Sequence, residues 1–168
     1  KGVFHRMIQT IDGLLPDTDY EIMLVRANEA SETVTFHTEL EPITLNVRDF
    51  GAFGDGVHDD TSAIQAAILC CPKNARVLIP KGTYPVTALF LKSDMILELQ
   101  ENAVLAGIYD RARTPILPGQ IEYDNEDGYY NLGSWEGNPI DSFASMITGI
   151  HVKNVTICGK GVLDGRAD

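Results

Sequence analysis

The sequence predicts an all-β protein: the first coils of a parallel β-helix closed by one short helix, preceded by part of an antiparallel β-sandwich. Three observations carry this. Residues 77–107 break into apolar runs of three to five residues, separated by turns rich in Gly, Asn, Asp and Pro. One helical stripe, Ile64, Ala67, Ile68 and Cys71, stands just before them at i, i+3, i+4, i+7. Residues 1–41 carry strand-like runs of their own and end at Glu39-Leu40-Glu41-Pro42, which reads as a linker.

In the first segment the apolar pairs Val3-Phe4 and Met7-Ile8 predict a strand. Ile11 and Leu14 lead into a turn, and strands follow over Tyr20–Val25 and Glu32–Thr38. The last of these alternates, with Val34 and Phe36 on one face and Thr33, Thr35 and His37 on the other. Between the first and second strands lies LLPDTDY. Its Leu14, Pro16, Thr18 and Tyr20 resemble the tyrosine corner of a fibronectin type III module, in which the Tyr hydroxyl bonds back to the chain. Such a module has about seven strands, so residues 1–41 hold only its C-terminal part.

Beyond the linker, Thr44–Arg48 reads as a short strand, and Gly51, Gly54 and Gly56 crowd a loop. Asp59-Asp60 opens a helix over residues 60–71, with N-capping carboxylates and capping-box spacing from Ser62 to Gln65. Pro72 ends it. The helix has one apolar face, and the open end of a solenoid needs such a cover. Strands are expected at Val77–Ile79, Tyr84–Thr87, Leu89–Leu91, Met95–Leu99 and Val104–Gly107. After an interruption at 109–148, further strands are expected at His151-Val152, Val155–Ile157 and Gly161–Leu163. The interruption is too long for a simple solenoid turn, and long loops in compact domains are often functional.

Composition narrows the function. The chain has 168 residues and 44% apolar content, as a globular protein of one or two domains would. No run approaches the ~18 apolar residues of a membrane span. A net charge of -11 without Lys or Arg clusters argues against a nucleic-acid partner. Cys70 and Cys71 are adjacent and Cys158 stands alone, so all three are expected as buried apolar residues, with neither disulfides nor a metal site. His5, His37, His58 and His151 show no ligand spacing and read as structural or surface residues. The chain begins at Lys1 rather than Met and reads as an excerpt, so the missing signal peptide does not argue against secretion.

Four runs carry a family resemblance: DFGAFGDGVHDDTSAIQAAI (49–68), VLIPKGTYPV (77–86), ALFLKSDMILELQENAVLAG (88–107) and NVTICGKGVLDG (154–165). Together they resemble the N-terminal part of glycoside hydrolase family 28, the polygalacturonases and their exo-acting relatives. The resemblance implies a pectin-lyase-like, right-handed parallel β-helix over residues 42–168. It implies inverting hydrolysis of α-1,4-galacturonosyl linkages, a pectin or oligogalacturonide substrate, no cofactor and a monomer. Inversion needs an acid and a base held across the bond. The family's Asn-x-Asp, Asp-Asp, Gly-His-Gly and Arg-x-Lys motifs are absent here in their usual context. No catalytic residue is therefore assigned, and the chain alone is expected to be inactive. Asp59-Asp60 reads as capping and loop carboxylates, and Asp164 as a turn residue. A tailspike-like carbohydrate-binding β-helix without hydrolase activity is the alternative.

Within 109–148, Tyr109, Tyr123, Tyr129, Tyr130 and Trp135 could face sugar rings, and Arg111 and Arg113 could meet uronate carboxylates. The resemblance to exo-acting members singles out the Ser134-Trp135-Glu136-Gly137 run, so Trp135 and Glu136 are the expected substrate-binding residues; the competing reading packs these aromatics against the solenoid. The family is commonly secreted. Extracellular is thus the expected location, with a reducing cytosol the alternative that unpaired cysteines permit.

Overall fold

The computed structural model describes residues 11, 13–26, 29–124 and 126–166, with the side chains of 24–31 left aside. The expected strand around Val3–Ile8 lies outside these residues. The chain divides into two compact units, with the boundary between Pro42 and Ile43.

The first unit is built on an antiparallel pair, β1 (Asp19–Arg26) and β2 (Glu29–His37), with Tyr20 opposite Phe36 and Ile22 opposite Val34. The Tyr20 and Phe36 rings stack with centroids 5.7 Å apart. The Leu15 N–H donates to the Tyr20 hydroxyl at 2.7 Å, the back-bond that the LLPDTDY run led one to expect. Thr38 ties the same corner: its hydroxyl donates to Leu15 O at 2.6 Å and accepts from Thr18 N–H at 3.0 Å. His37 has a carboxylate at each ring nitrogen, Asp19 at 2.8 Å and Asp17 at 3.1 Å.

The second unit is a parallel solenoid. β3 (Thr44–Asn46) runs into a 3₁₀ turn at Val47–Phe50, and α1 (Thr61–Cys70) follows the glycine loop. Then come β4 (Ala75–Ile79), β5 (Gly82–Val86), β6 (Leu89–Phe90), β7 (Met95–Leu99) and β8 (Ala103–Gly107). Residues 109–146 leave the coil as an excursion made of β9 (Ile116–Leu117), β10 (Gln120–Glu122), β11 (Tyr129–Asn131), β12 (Ser134–Trp135), β13 (Asn138–Pro139) and β14 (Ser142–Phe143). The coil resumes with β15 (Ile147–Thr148), β16 (Val155–Gly159) and β17 (Val162–Asp164).

Three parallel sheets result: β3, β4, β7 and β16 in one, β5, β8 and β17 in the second, β6 and β15 in the third. Side chains alternate along each strand, so Ala75, Val77 and Ile79 point inward and meet Met95, Leu97 and Leu99 of the next coil. Tyr84 and Leu105 fill the interior from the second sheet, and Leu89 from the third. Asn74, Asp94 and Asn154 precede β4, β7 and β16, each in the left-handed region (φ 58, 60 and 55°). Asn154 donates to the Asp94 carboxylate at 2.8 Å. Asn and Asp adopt this conformation more readily than other side chains, so the three stack as a ladder that turns each coil alike.

The helix covers the end of the solenoid with the stripe read from sequence: Ile64, Ala67, Ile68 and Cys71 are all buried in the common core. Burying each Ile contributes about 1.5–3 kcal/mol. The expected capping carboxylates divide their work. Asp60 occupies the N-cap position, but its side chain makes no cap bond. Instead its buried carboxylate accepts from the N–H groups of Phe53 at 2.6 Å and Gly54 at 3.0 Å, folding the glycine loop onto the helix. Gly54 (φ 61°) lies so close to Tyr84 that a Cβ there would come within 2.6 Å of the ring. Asp59 accepts from the Thr61 N–H at 2.9 Å.

The capping box expected from Ser62 and Gln65 does not form, because Gln65 is drawn elsewhere. Its amide donates to Phe90 O at 3.0 Å and accepts from Phe90 N–H at 2.8 Å. That side chain thus occupies the hydrogen-bonding edge that β6 turns toward the helix. Lys92 closes the other end of the helix, donating to Cys71 O at 2.7 Å and Leu69 O at 3.3 Å.

Other expectations are corrected too. Only Cys71 is buried; Cys70 and Cys158 are exposed, Cys70 beside the apolar stripe and Cys158 on the outward parity of β16. Burial raises the Cys71 thiol pKa. His151-Val152 is a turn, with His151 at φ 52°. The strand at this corner is Ile147–Thr148, recruited by pairing with Leu89–Phe90.

Candidate functional site

The excursion leaves the end of β8 and returns just before β15, so it borders the third sheet. Its base is a turn around Asp110, whose carbonyl accepts from the N–H groups of Arg113 at 3.0 Å and Thr114 at 3.2 Å. That turn sets Arg113 against the Asp59 carboxylate in an ion pair. Tyr109 donates its hydroxyl proton to Gly165 O on the next coil. An open groove of about 430 Å³ lies at this corner, lined among others by Val57, Asp59, Tyr109, Arg113 and Arg166. Beside it, the N–H groups of His58 and Val57 and the His58 ring hold the Asp55 carboxyl at a pKa of about 2.

Above the base the excursion is one outer antiparallel pair enclosing two successive hairpins. β9 pairs with β14, β10 with β11, and β12 with β13. Gly119 is the junction: its carbonyl accepts from the N–H groups of Leu132 at 2.9 Å and Gly133 at 3.2 Å, and its N–H donates to Asp141 at 2.9 Å. A Cβ on Gly119 would overlap the backbone of Ile140.

The two residues expected to bind substrate sit together at a hairpin tip. Trp135 and Asn138 pair across a two-residue turn of Glu136 (φ 50°) and Gly137 (φ 83°). Consecutive positive φ values match the right-handed twist of a hairpin. Trp135 is 71% exposed. The other aromatic and basic candidates are separated from it in role. Tyr123 lies parallel to the His151 ring, centroids 3.7 Å apart, and Tyr130 meets the same ring edge-on at 4.3 Å. The Arg111 guanidinium lies 5.8 Å from the Phe143 ring centre. Tyr109 and Arg113 are held by the base. For these residues the packing reading describes the geometry; Trp135 and Glu136 remain presented outward.

Asp59 and Asp60, the adjacent acids, are both committed to structural bonds. Chemically, the excursion offers an exposed indole and a carboxylate on a tight hairpin, and the groove at its base holds both charges. Sequence reasoning placed His151 among scattered histidines; nothing in the spacing of residues 123, 130 and 151 signals that their rings meet.

Residues 44–162 match the family described as rhamnogalacturonase A/epimerase, pectate lyase-like. The chain belongs to that family. Among curated relatives, the exo-poly-α-D-galacturonosidase of Dickeya chrysanthemi is 36% identical over 172 residues, covering 96% of this chain and 27% of the relative. A mannuronan C5-epimerase of Azotobacter vinelandii is 50% identical over 64 residues, covering 37% of this chain and 7% of its own length. The solved family 28 exopolygalacturonase of Yersinia enterocolitica superposes with a TM-score of 0.72 at 37% identity, over 92% of this chain and 27% of that one. The likeness to polygalacturonases read from the sequence therefore holds along nearly the whole chain. The chain spans about a quarter of the length of the relatives it matches end to end.

Proposed function

We propose that this chain belongs to the N-terminal region of a secreted, monomeric, exo-acting pectin hydrolase that cleaves α-1,4-galacturonosyl linkages with inversion. The observation that carries this reading is the match to an exo-poly-α-D-galacturonosidase across 96% of the chain, too long to exclude the excursion. The likeness to an epimerase takes in only 37% of the chain and weighs less. In this reading residues 1–41 end a fibronectin type III-like module, which the Tyr20–Leu15 bond supports. Residues 42–168 begin a β-helix wound right-handed, as parallel crossovers almost always are. The acid and base of the reaction lie on coils that follow Asp168 in the parent protein. The excursion closes one end of the parent's substrate cleft, with the Trp135 ring against a sugar face and Glu136 toward sugar hydroxyls.

Three measurements test it. Residues 1–168, incubated with polygalacturonate, should release no reducing ends. In the parent, Trp135→Ala should weaken digalacturonate binding, and removing 116–143 should lengthen the products released. If Trp135→Ala binds digalacturonate as tightly as the parent and the deletion leaves product length unchanged, Trp135 and Glu136 are not substrate residues.

A further inference from the structure

We propose that His151 is a positioning residue: its ring anchors the β10–β11 hairpin and thereby sets where Trp135 stands. The inference rests on the substrate reading of Trp135, and it names what holds that residue in place. His151 belongs to the turn before β16, hence to the solenoid rather than to the excursion. Tyr123 follows β10 and stacks face to face on it, with 4° between ring planes. Tyr130, in β11, meets it at 64°. The edge-to-face contact is a favoured arrangement of aromatic rings. The two tyrosines share one face of the hairpin, their rings 6.2 Å apart, and a single imidazole holds that face through both.

That grip reaches Trp135 through a short path. β11 ends at Asn131 and β12 begins at Ser134, and the two residues between them are bonded to Gly119 O. Gly119 packs against the Ile140 backbone too closely for any side chain. The two hairpins therefore share one rigid junction, and a shift of β10–β11 moves the Trp135 tip with it. Two further ties among the described residues, Arg113 to Asp59 and Tyr109 to Gly165, lie at the base of the excursion rather than at its hairpins.

The chain contains a single Trp, so its own fluorescence reports this position. His151→Asn is the sharper variant, because Asn suits the φ of 52° while removing the ring. In the full 168-residue chain it should lower Trp135 anisotropy and leave the thermal midpoint of the solenoid within about 3 °C of the parent, as surface substitutions usually do. Tyr123→Ala should do the same, Tyr123→Phe should behave as wild type, and adding Tyr123→Ala to His151→Asn should lower anisotropy little further. Unchanged anisotropy in His151→Asn overturns the inference. So does a fall in anisotropy matched by a fall in midpoint that Tyr123→Phe reproduces. A digalacturonate titration followed at Trp135 separates the two readings. A wild type that gives no response removes the substrate role of Trp135, while the anisotropy still decides the anchoring. With a response, His151→Asn should raise the Kd severalfold.

Discussion

Replacing Asp60 by Asn tests the junction between loop and helix, because the change removes charge and one acceptor while keeping the shape. The carboxylate is 1% exposed and takes two N–H groups, from Phe53 and Gly54. Hydrogen bonds to a charged acceptor contribute roughly 1.5–3 kcal/mol each. Asn retains one acceptor and turns an NH2 toward the other donor, so about one bond is lost. Water reaching the loop from the exposed side of Phe53 trims the penalty. The expected loss is about 2–3 kcal/mol, which for a unit of this size lowers Tm by roughly 8–15 °C. Asp59→Asn is the control. It removes a half-exposed ion pair with Arg113 while leaving an amide oxygen for the Thr61 N–H, a loss of about 1 kcal/mol at most. Melts of both variants by circular dichroism decide the matter. If Asp60→Asn melts within about 3 °C of Asp59→Asn, the loop is not held by Asp60 in the way described.

Three further outcomes are expected. Gln65→Leu should expose the Phe90 N–H that the amide now covers; hydrogen exchange at that amide should speed up, and stability should fall by about 1–3 kcal/mol. Ile68→Asp places an unpaired charge in the core beneath the helix and should cost several kcal/mol, so an unchanged melting curve would deny the helix its capping role. His37 should titrate above the ordinary 6.5 because carboxylates of Asp19 and Asp17 hold its proton. Its contribution to the hairpin is then full below pH 6.5 and is lost as pH rises through the elevated value; Asp19→Asn should bring the NMR midpoint back toward 6.5, and a wild-type midpoint at or below 6.5 contradicts the geometry.

The sequence was most legible where periodicity was unambiguous. Ile64, Ala67, Ile68 and Cys71 lie on one helical face whatever they pack against, and the structure buries all four. The runs at 77–79 and 95–99 read as strands because each is short, apolar and bounded by turn residues. Ile147–Thr148 could not be read, since two residues have no period and become a strand only through the partner Leu89–Phe90. Val152 next to Val155 looks like strand, but the left-handed backbone at His151 and Asn154 breaks the run. The capping box failed for a similar reason: spacing shows what Gln65 can reach within the helix, not that Phe90 lies beside it. In the site, the Ser134-Trp135-Glu136-Gly137 run was visible as a motif. The roles of its neighbours were not, because they depend on rings brought together from positions 123, 130 and 151.

The excursion has a consequence for how this fold accepts new material. Twenty residues separate Ala75 from its coil partner Met95, and sixty separate Met95 from Val155, yet the parallel register passes from one coil to the next unbroken. The Ala144 N–H bonds to Pro115 O at 2.8 Å, and the pair β9–β14 joins the two ends just beyond. The entropy of closing a long loop is thereby paid inside the insert itself, and to the coil Pro115 and Ala144 are next-door neighbours. Such a corner is a socket: its contents can be shortened, lengthened or exchanged without renegotiating the scaffold. Specificity can change there faster than stability does.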